Sequence, residues 1–125
     1  MTNNNGQEII SVLIMDVDGV LTAGGIIYDE KGHETKRFDV KDGFGIKLGQ
    51  KFGIEFVIIS GRKSVVTDIR AAELGITRVY TGIKDKLACY EDIKKEMGFS
   101  DSEAAYIGDD LNDLALLKKV GFSAT

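Results

Sequence analysis

The chain has 125 residues, 43% of them hydrophobic, and a formal net charge of −4, enough material for one domain with a real core. That balance, without clustered lysine and arginine, argues against electrostatic capture of DNA or RNA. The longest apolar runs, Val12 to Met15 and Phe56 to Ile59, fall far short of the roughly 20 residues of a membrane helix. Residues 1–8 have neither the basic region nor the apolar segment of a secretory signal and are expected to be a disordered terminus. Cys89, the lone cysteine, can form no internal disulfide, which fits a reducing compartment, so the cytoplasm is the expected location.

Ile9 to Met15 reads as a buried central strand, because its apolar residues are nearly continuous and stop at a polar turn. Residues 24–40 read as a hairpin flap: Ile26-Ile27-Tyr28 goes out, Asp29 to Gly32 turns, and Glu34 to Val40 returns. Gly43 to Phe52 is a predicted helix with Phe44, Leu48 and Phe52 on one stripe and Gly53 at its end. Ile54 to Ile59 is a second apolar strand. After Ser60-Gly61-Arg62, a helix carries Val65, Val66, Ile69, Ala72 and Leu74 to Gly75. Val79-Tyr80 is a short strand, and Asp85 to Met97 a helix with Leu87, Tyr90, Ile93 and Met97 aligned. Ala104 to Ile107 is a further strand, about Asn112 to Val120 a helix, and Phe122 to Ala124 the start of a fifth strand. The alternation implies an α/β fold, a parallel sheet wrapped by helices, with residues 1–125 as one domain.

Open parallel sheets bind ligands beyond the carboxyl ends of their strands. Three strands end there in polar turns: Asp16-Val17-Asp18-Gly19, Ser60-Gly61-Arg62 and Gly108-Asp109-Asp110-Leu111-Asn112-Asp113. Each alone has a structural reading as a turn or a helix cap. Together, Asp16, Asp18, Asp109 and Asp113 converge on one edge without histidine or cysteine, a donor set for a hard cation, magnesium being the natural candidate. A calcium loop of the EF-hand type fails on spacing, since Ile27 stands where its glutamate belongs. The glycines from Gly43 to Gly49 match neither the dinucleotide fingerprint nor the P-loop. Lys86 read alone is a solvated charge on a helix face, and Arg62 a surface arginine paired with Asp68 or Glu73. His33 is expected at the exposed flap tip, with no catalytic part.

The stretches Asp16 to Thr22, Ile59 to Arg62, Lys84 to Leu87 and Gly108 to Asp113 resemble, in order, the four motifs of the haloacid dehalogenase superfamily. The flap followed by Phe38 to Ile46 is similar to its capless branch, typified by phosphatases of the sugar-acid phosphate 3-deoxy-D-manno-octulosonate 8-phosphate (KDO 8-phosphate). The resemblance implies a Rossmannoid three-layer sandwich without a cap domain. It also implies a magnesium-dependent phosphatase of lipopolysaccharide precursor synthesis. In it Asp16 is the nucleophile and Asp18 the general acid and base. Magnesium is held by Asp16, the Asp18 carbonyl and Asp109, and Asp110 or Asp113 orients it through water. Ser60, Lys86 and the Gly19 backbone bind phosphate, and Arg62 grips the substrate carboxylate. Capless members close their sites as homotetramers, so the flap's Ile26, Ile27, Tyr28 and Phe38 are expected to form an interface. Relatives have aspartate where this chain has Ala23, and they continue beyond the fifth strand, so a C-terminal part is expected to be missing. The competing expectations are a nonulosonate 9-phosphate phosphatase, a non-catalytic tetramerisation module, and phosphoryl transfer to an acceptor other than water.

Overall fold

The computed structural model describes residues 9–22, 27–108 and 113–124. Gly24 to Ile26 of the expected flap, Ala23 before it, the terminus 1–8 and Asn112 of the expected last helix lie outside these residues. β1 (Val12–Met15) is shorter than the strand expected from Ile9 to Met15, and Ile9 lies at the surface. The flap is an antiparallel pair, β2 (Ile27–Tyr28) and β3 (Glu34–Thr35). Its turn is set by Asp29, whose Oδ1 accepts the N–H groups of Lys31 and His33, and by Gly32 at φ +81, where a side chain would be strained.

α1 (Val40–Lys51) starts at Asp39, whose carboxylate accepts the Lys41 N–H. β4 (Glu55–Ile59) leads to α2 (Val65–Glu73), capped by the Ser64 hydroxyl accepting from the Thr67 N–H. β5 (Arg78–Tyr80) and α3 (Lys86–Met97) follow, the latter capped by Asp85. The chain then runs through β6 (Ala104–Ile107), α4 (Leu114–Lys119) and β7 (Phe122–Ala124). The five core strands pair in the order β5-β4-β1-β6-β7, every neighbour parallel. β1 is therefore central, as its continuous burial requires.

Alternate residues of the strands face opposite layers. Val12, Ile14, Val57 and Ile59 pack with Tyr90 and Ile93 of α3 and Leu116 of α4. Met15, Phe56 and Ile58 pack with Ile46 of α1, with Ala71 of α2 and with Leu74 at its end. Helices thus cover both faces, which is the three-layer arrangement expected.

Two helices turn a different face inward from the one their apolar residues suggest. In α1, Phe44, Leu48 and Phe52 are 72%, 46% and 79% exposed, while Gly43 and Ile46 are buried. The reason is close approach: a Cβ on Gly43 would meet the Arg70 guanidinium at 2.7 Å, and one on Gly49 the Phe56 ring at 2.6 Å. In α2, Val65 and Ile69 are exposed, and Thr67 and Ala71 are the buried pair. The flap patch also differs from expectation. Ile27 and Tyr28 are exposed, but Phe38 packs against the Met15 layer with the Arg70 guanidinium 6.0 Å from its ring. Among the described residues no helix is long and apolar enough to cross a membrane.

Candidate active site at the carboxyl edge of the sheet

The parallel register decides which residues meet. Met15 lies opposite Ile58 on one side and Ile107 on the other, so the next residues out, Asp16, Ile59-Ser60 and Gly108, crowd one edge of the sheet. The Asp16 N–H donates to the Ile107 carbonyl, and the Ser60 N–H to that of Tyr80, continuing the ladder to the point where the side chains change from apolar to polar. Asp16 and Ser60 are both buried there.

Lys86 opens α3 from the same edge and is only 5% exposed, so the reading of it as a solvated charge is overturned. Its Nζ lies 2.7 Å from Asp113 Oδ1 and 3.2 Å from Asp16 Oδ2. Asp113 is fully buried, and its Oδ1 also accepts the Tyr106 hydroxyl at 2.6 Å. Asp16 Oδ1 accepts the Val17 N–H at 2.8 Å, which fixes the carboxylate against the start of the turn.

Asp18 faces elsewhere. Its Oδ1 is 2.5 Å from Nζ of Lys36, a side chain 2% exposed that comes from the returning arm of the flap. Lys36 also pairs with Glu34 Oε1 at 3.2 Å, and Glu34 Oε2 accepts from Arg62 NH2. Arg62 therefore pairs with the flap, and Glu73 pairs instead with Arg70. His33 is exposed and bonded to Asp29, as expected of the flap tip. Gly19 stands at φ +81 in the turn, with its N–H 3.4 Å from the Thr22 hydroxyl. Asp109 and Asp110 lie outside the described residues.

A groove of about 590 Å³ lies on the other side, between α1 and the sheet face of Leu13, Met15 and Ile107. Of the candidate catalytic, phosphate-binding and metal residues among the described ones it touches Gly19, while Asp16, Asp18, Ser60, Lys86 and Asp113 are not among its lining residues.

Comparison with known proteins identifies the family. A family model described as haloacid dehalogenase-like hydrolase matches residues 67–125. The KDO 8-phosphate phosphatase of Escherichia coli K12 is 43% identical over 116 residues, which cover 93% of this chain and 62% of that protein. The crystal structure of KDO 8-phosphate phosphatase from Moraxella catarrhalis, in complex with magnesium, phosphate and KDO, is 46% identical. It superposes with a TM-score of 0.88 over 91% of this chain and 67% of that one. The chain belongs to the haloacid dehalogenase-like hydrolases. A cobalt-bound phosphatase of the same substrate from Haemophilus influenzae matches at 40% identity and a TM-score of 0.86. The chain spans about 62% of the length of the curated relatives it matches.

The electrostatics of this haloacid dehalogenase-like edge are unequal. Burial pushes the Asp16 carboxyl above its usual range, and Lys86 and the Val17 N–H pull it back only in part. Burial also acts on Lys86, in the downward direction, but its bonds to Asp113 and Asp16 outweigh that and hold its ammonium above the ordinary value. The shorter contact explains the asymmetry: Asp113 holds the lysine, and Asp16 is left under-compensated. An oxygen donor of this kind, buried and short of positive charge, fits a hard divalent cation.

Sequence reasoning missed Glu34, Lys36 and Tyr106. The first two were legible in part, since residues two apart on the returning flap arm share one face and both are charged. Tyr106 reads as one more apolar strand residue, and only its hydroxyl, aimed at Asp113, distinguishes it.

Proposed function

We propose that the protein is a magnesium-dependent phosphatase of sugar-acid phosphates, with KDO 8-phosphate as the preferred substrate. The observation that carries this reading is the division of two carboxylates two residues apart. Asp16 is buried against Lys86, and Asp18 is turned outward to Lys36. The kinship to KDO 8-phosphate phosphatases supports the substrate class.

In this reading an Asp16 oxygen attacks phosphorus, and the bond from phosphorus to the sugar oxygen breaks. Asp18 gives its proton to the departing alkoxide. Asp18 then takes a proton from water as the water oxygen attacks the same phosphorus, and the bond to Asp16 breaks to release phosphate. Ser60, the Gly19 N–H and Lys86 hold the remaining phosphate oxygens, and Lys86 is kept in place by Asp113. Asp16, the Asp18 carbonyl and Asp109 would hold magnesium, with Asp110 or Asp113 orienting its waters. The ion supplies charge neutralisation between the carboxylate and the anionic ester. Arg62 takes the sugar carboxylate in a forked grip.

The test is phosphate release from KDO 8-phosphate, a nonulosonate 9-phosphate and p-nitrophenyl phosphate, with and without magnesium. Magnesium-dependent release fastest from KDO 8-phosphate is expected. Release from none of the three would sink the reading.

A further inference from the structure

The flap contributes more than cover. Arg62 follows the Ser60 turn, and its backbone N–H donates to the Ser60 hydroxyl at 3.4 Å, which roots the side chain beside the phosphate-binding turn. Its NH2 is held from the flap by Glu34 Oε2 and by the Tyr28 hydroxyl at 3.4 Å. Glu34 is itself fixed, because each of its oxygens meets a different cation, Lys36 on one side and Arg62 on the other. The guanidinium is planar and rigid, so fixing one terminal nitrogen fixes the direction of the other. That other nitrogen, NH1, is buried and has no hydrogen-bond partner among the described residues. A buried donor left unmade is destabilising, and an anionic oxygen arriving there removes that penalty.

We infer that Glu34 and Tyr28 are positioning residues that pin one end of the Arg62 guanidinium so that its buried NH1 meets the substrate's carboxylate. The inference rests on the sugar-acid phosphate reading of the site. It adds that selectivity for an acid-bearing substrate is set by the flap and not by Arg62 alone. With Ser60 at one end of the turn and Arg62 two residues on, the phosphate and carboxylate contacts are gauged by a single short segment. A substrate with both groups spans it, and a simple phosphate ester uses one end only.

Steady-state kinetics on KDO 8-phosphate and p-nitrophenyl phosphate test this, using Glu34→Gln, Tyr28→Phe, Arg62→Lys and the double variant Glu34→Gln with Arg62→Lys. Glu34→Gln is expected to raise KM for KDO 8-phosphate and to lower its kcat/KM relative to p-nitrophenyl phosphate about tenfold, the worth of roughly one oriented hydrogen bond. Tyr28→Phe, which keeps the ring and the flap, should act in the same direction by about threefold. The double variant should be no worse than Arg62→Lys, because Glu34 acts through Arg62. An equal loss on both substrates, an unchanged KM, or additive losses in the double variant would overturn the inference. Turnover of p-nitrophenyl phosphate but not KDO 8-phosphate by the unmodified protein overturns the substrate reading itself, and this inference with it.

Discussion

The Lys86 ammonium and the Asp113 carboxylate, 27 positions apart, meet at 2.7 Å in a fully buried contact. α3 brings one and the start of α4 brings the other, so the pair joins two helices of the same layer at the edge where Asp16 is buried. Buried ion pairs contribute little net stability when complete but are costly to break from one side. Lys86→Met should therefore destabilise the protein by about 3 kcal/mol, read as a lower urea midpoint. Phosphatase activity should be lost even where the variant is still folded.

Asp16→Asn keeps the shape of the side chain and removes the charge that burial disfavours. Turnover is expected to fall about 10³-fold or more, with the thermal midpoint held or raised. Full residual activity would mean that the nucleophile lies elsewhere.

Gly108 is the residue that lets β6 pass beneath Asp113. A Cβ there would stand 2.4 Å from Asp113 Oδ2 and 2.6 Å from the Tyr106 ring, both buried and unable to retreat. Gly108→Ala should cost about 1–3 kcal/mol as an overpacking change. Because the displaced group is Lys86's main partner, activity should fall further than stability does. Comparing kcat/KM with the urea midpoint of the same variant checks this.

How much of this edge could be read from the chain depended on what the signal was made of. Asp16, Ser60 and Gly108 were legible because an apolar run ends abruptly at each, and a parallel sheet puts such endings together. Lys86 was legible only through its motif, since a lone lysine at a helix start says nothing about burial. The inward faces of α1 and α2 were misread for a physical reason. Periodicity counts apolar side chains, whereas α1 approaches its layer through Gly43 and Gly49, whose contribution is the absence of a side chain. Glu34 and Lys36 share one face of the flap arm, which the sequence shows, but that this face returns onto the sheet edge is a tertiary event that no local pattern announces.

Away from the site, Asp101 gives a pH dependence of defined sign. The Tyr90 hydroxyl, 2.5 Å away, and Lys94 hold its carboxyl below the ordinary value of 3.8. A lowered carboxyl favours the folded state above the unfolded value and loses that contribution as pH falls through the folded one. Asp101→Asn should thus be less stable than the unmodified protein at neutral pH, by about 1 kcal/mol for a partly exposed bond to a charged group. The gap should close below about pH 4. Urea midpoints of both proteins across that interval measure it, and a gap independent of pH would show that the bond to Tyr90 is not the cause.

The Lys36 contact carries a mechanical consequence. The ammonium that holds Asp18 rides on the flap, while Asp18 itself is anchored to the end of β1. The hairpin and the carboxylate therefore share one contact, and a change to the flap at Lys36 reaches Asp18 without touching β1.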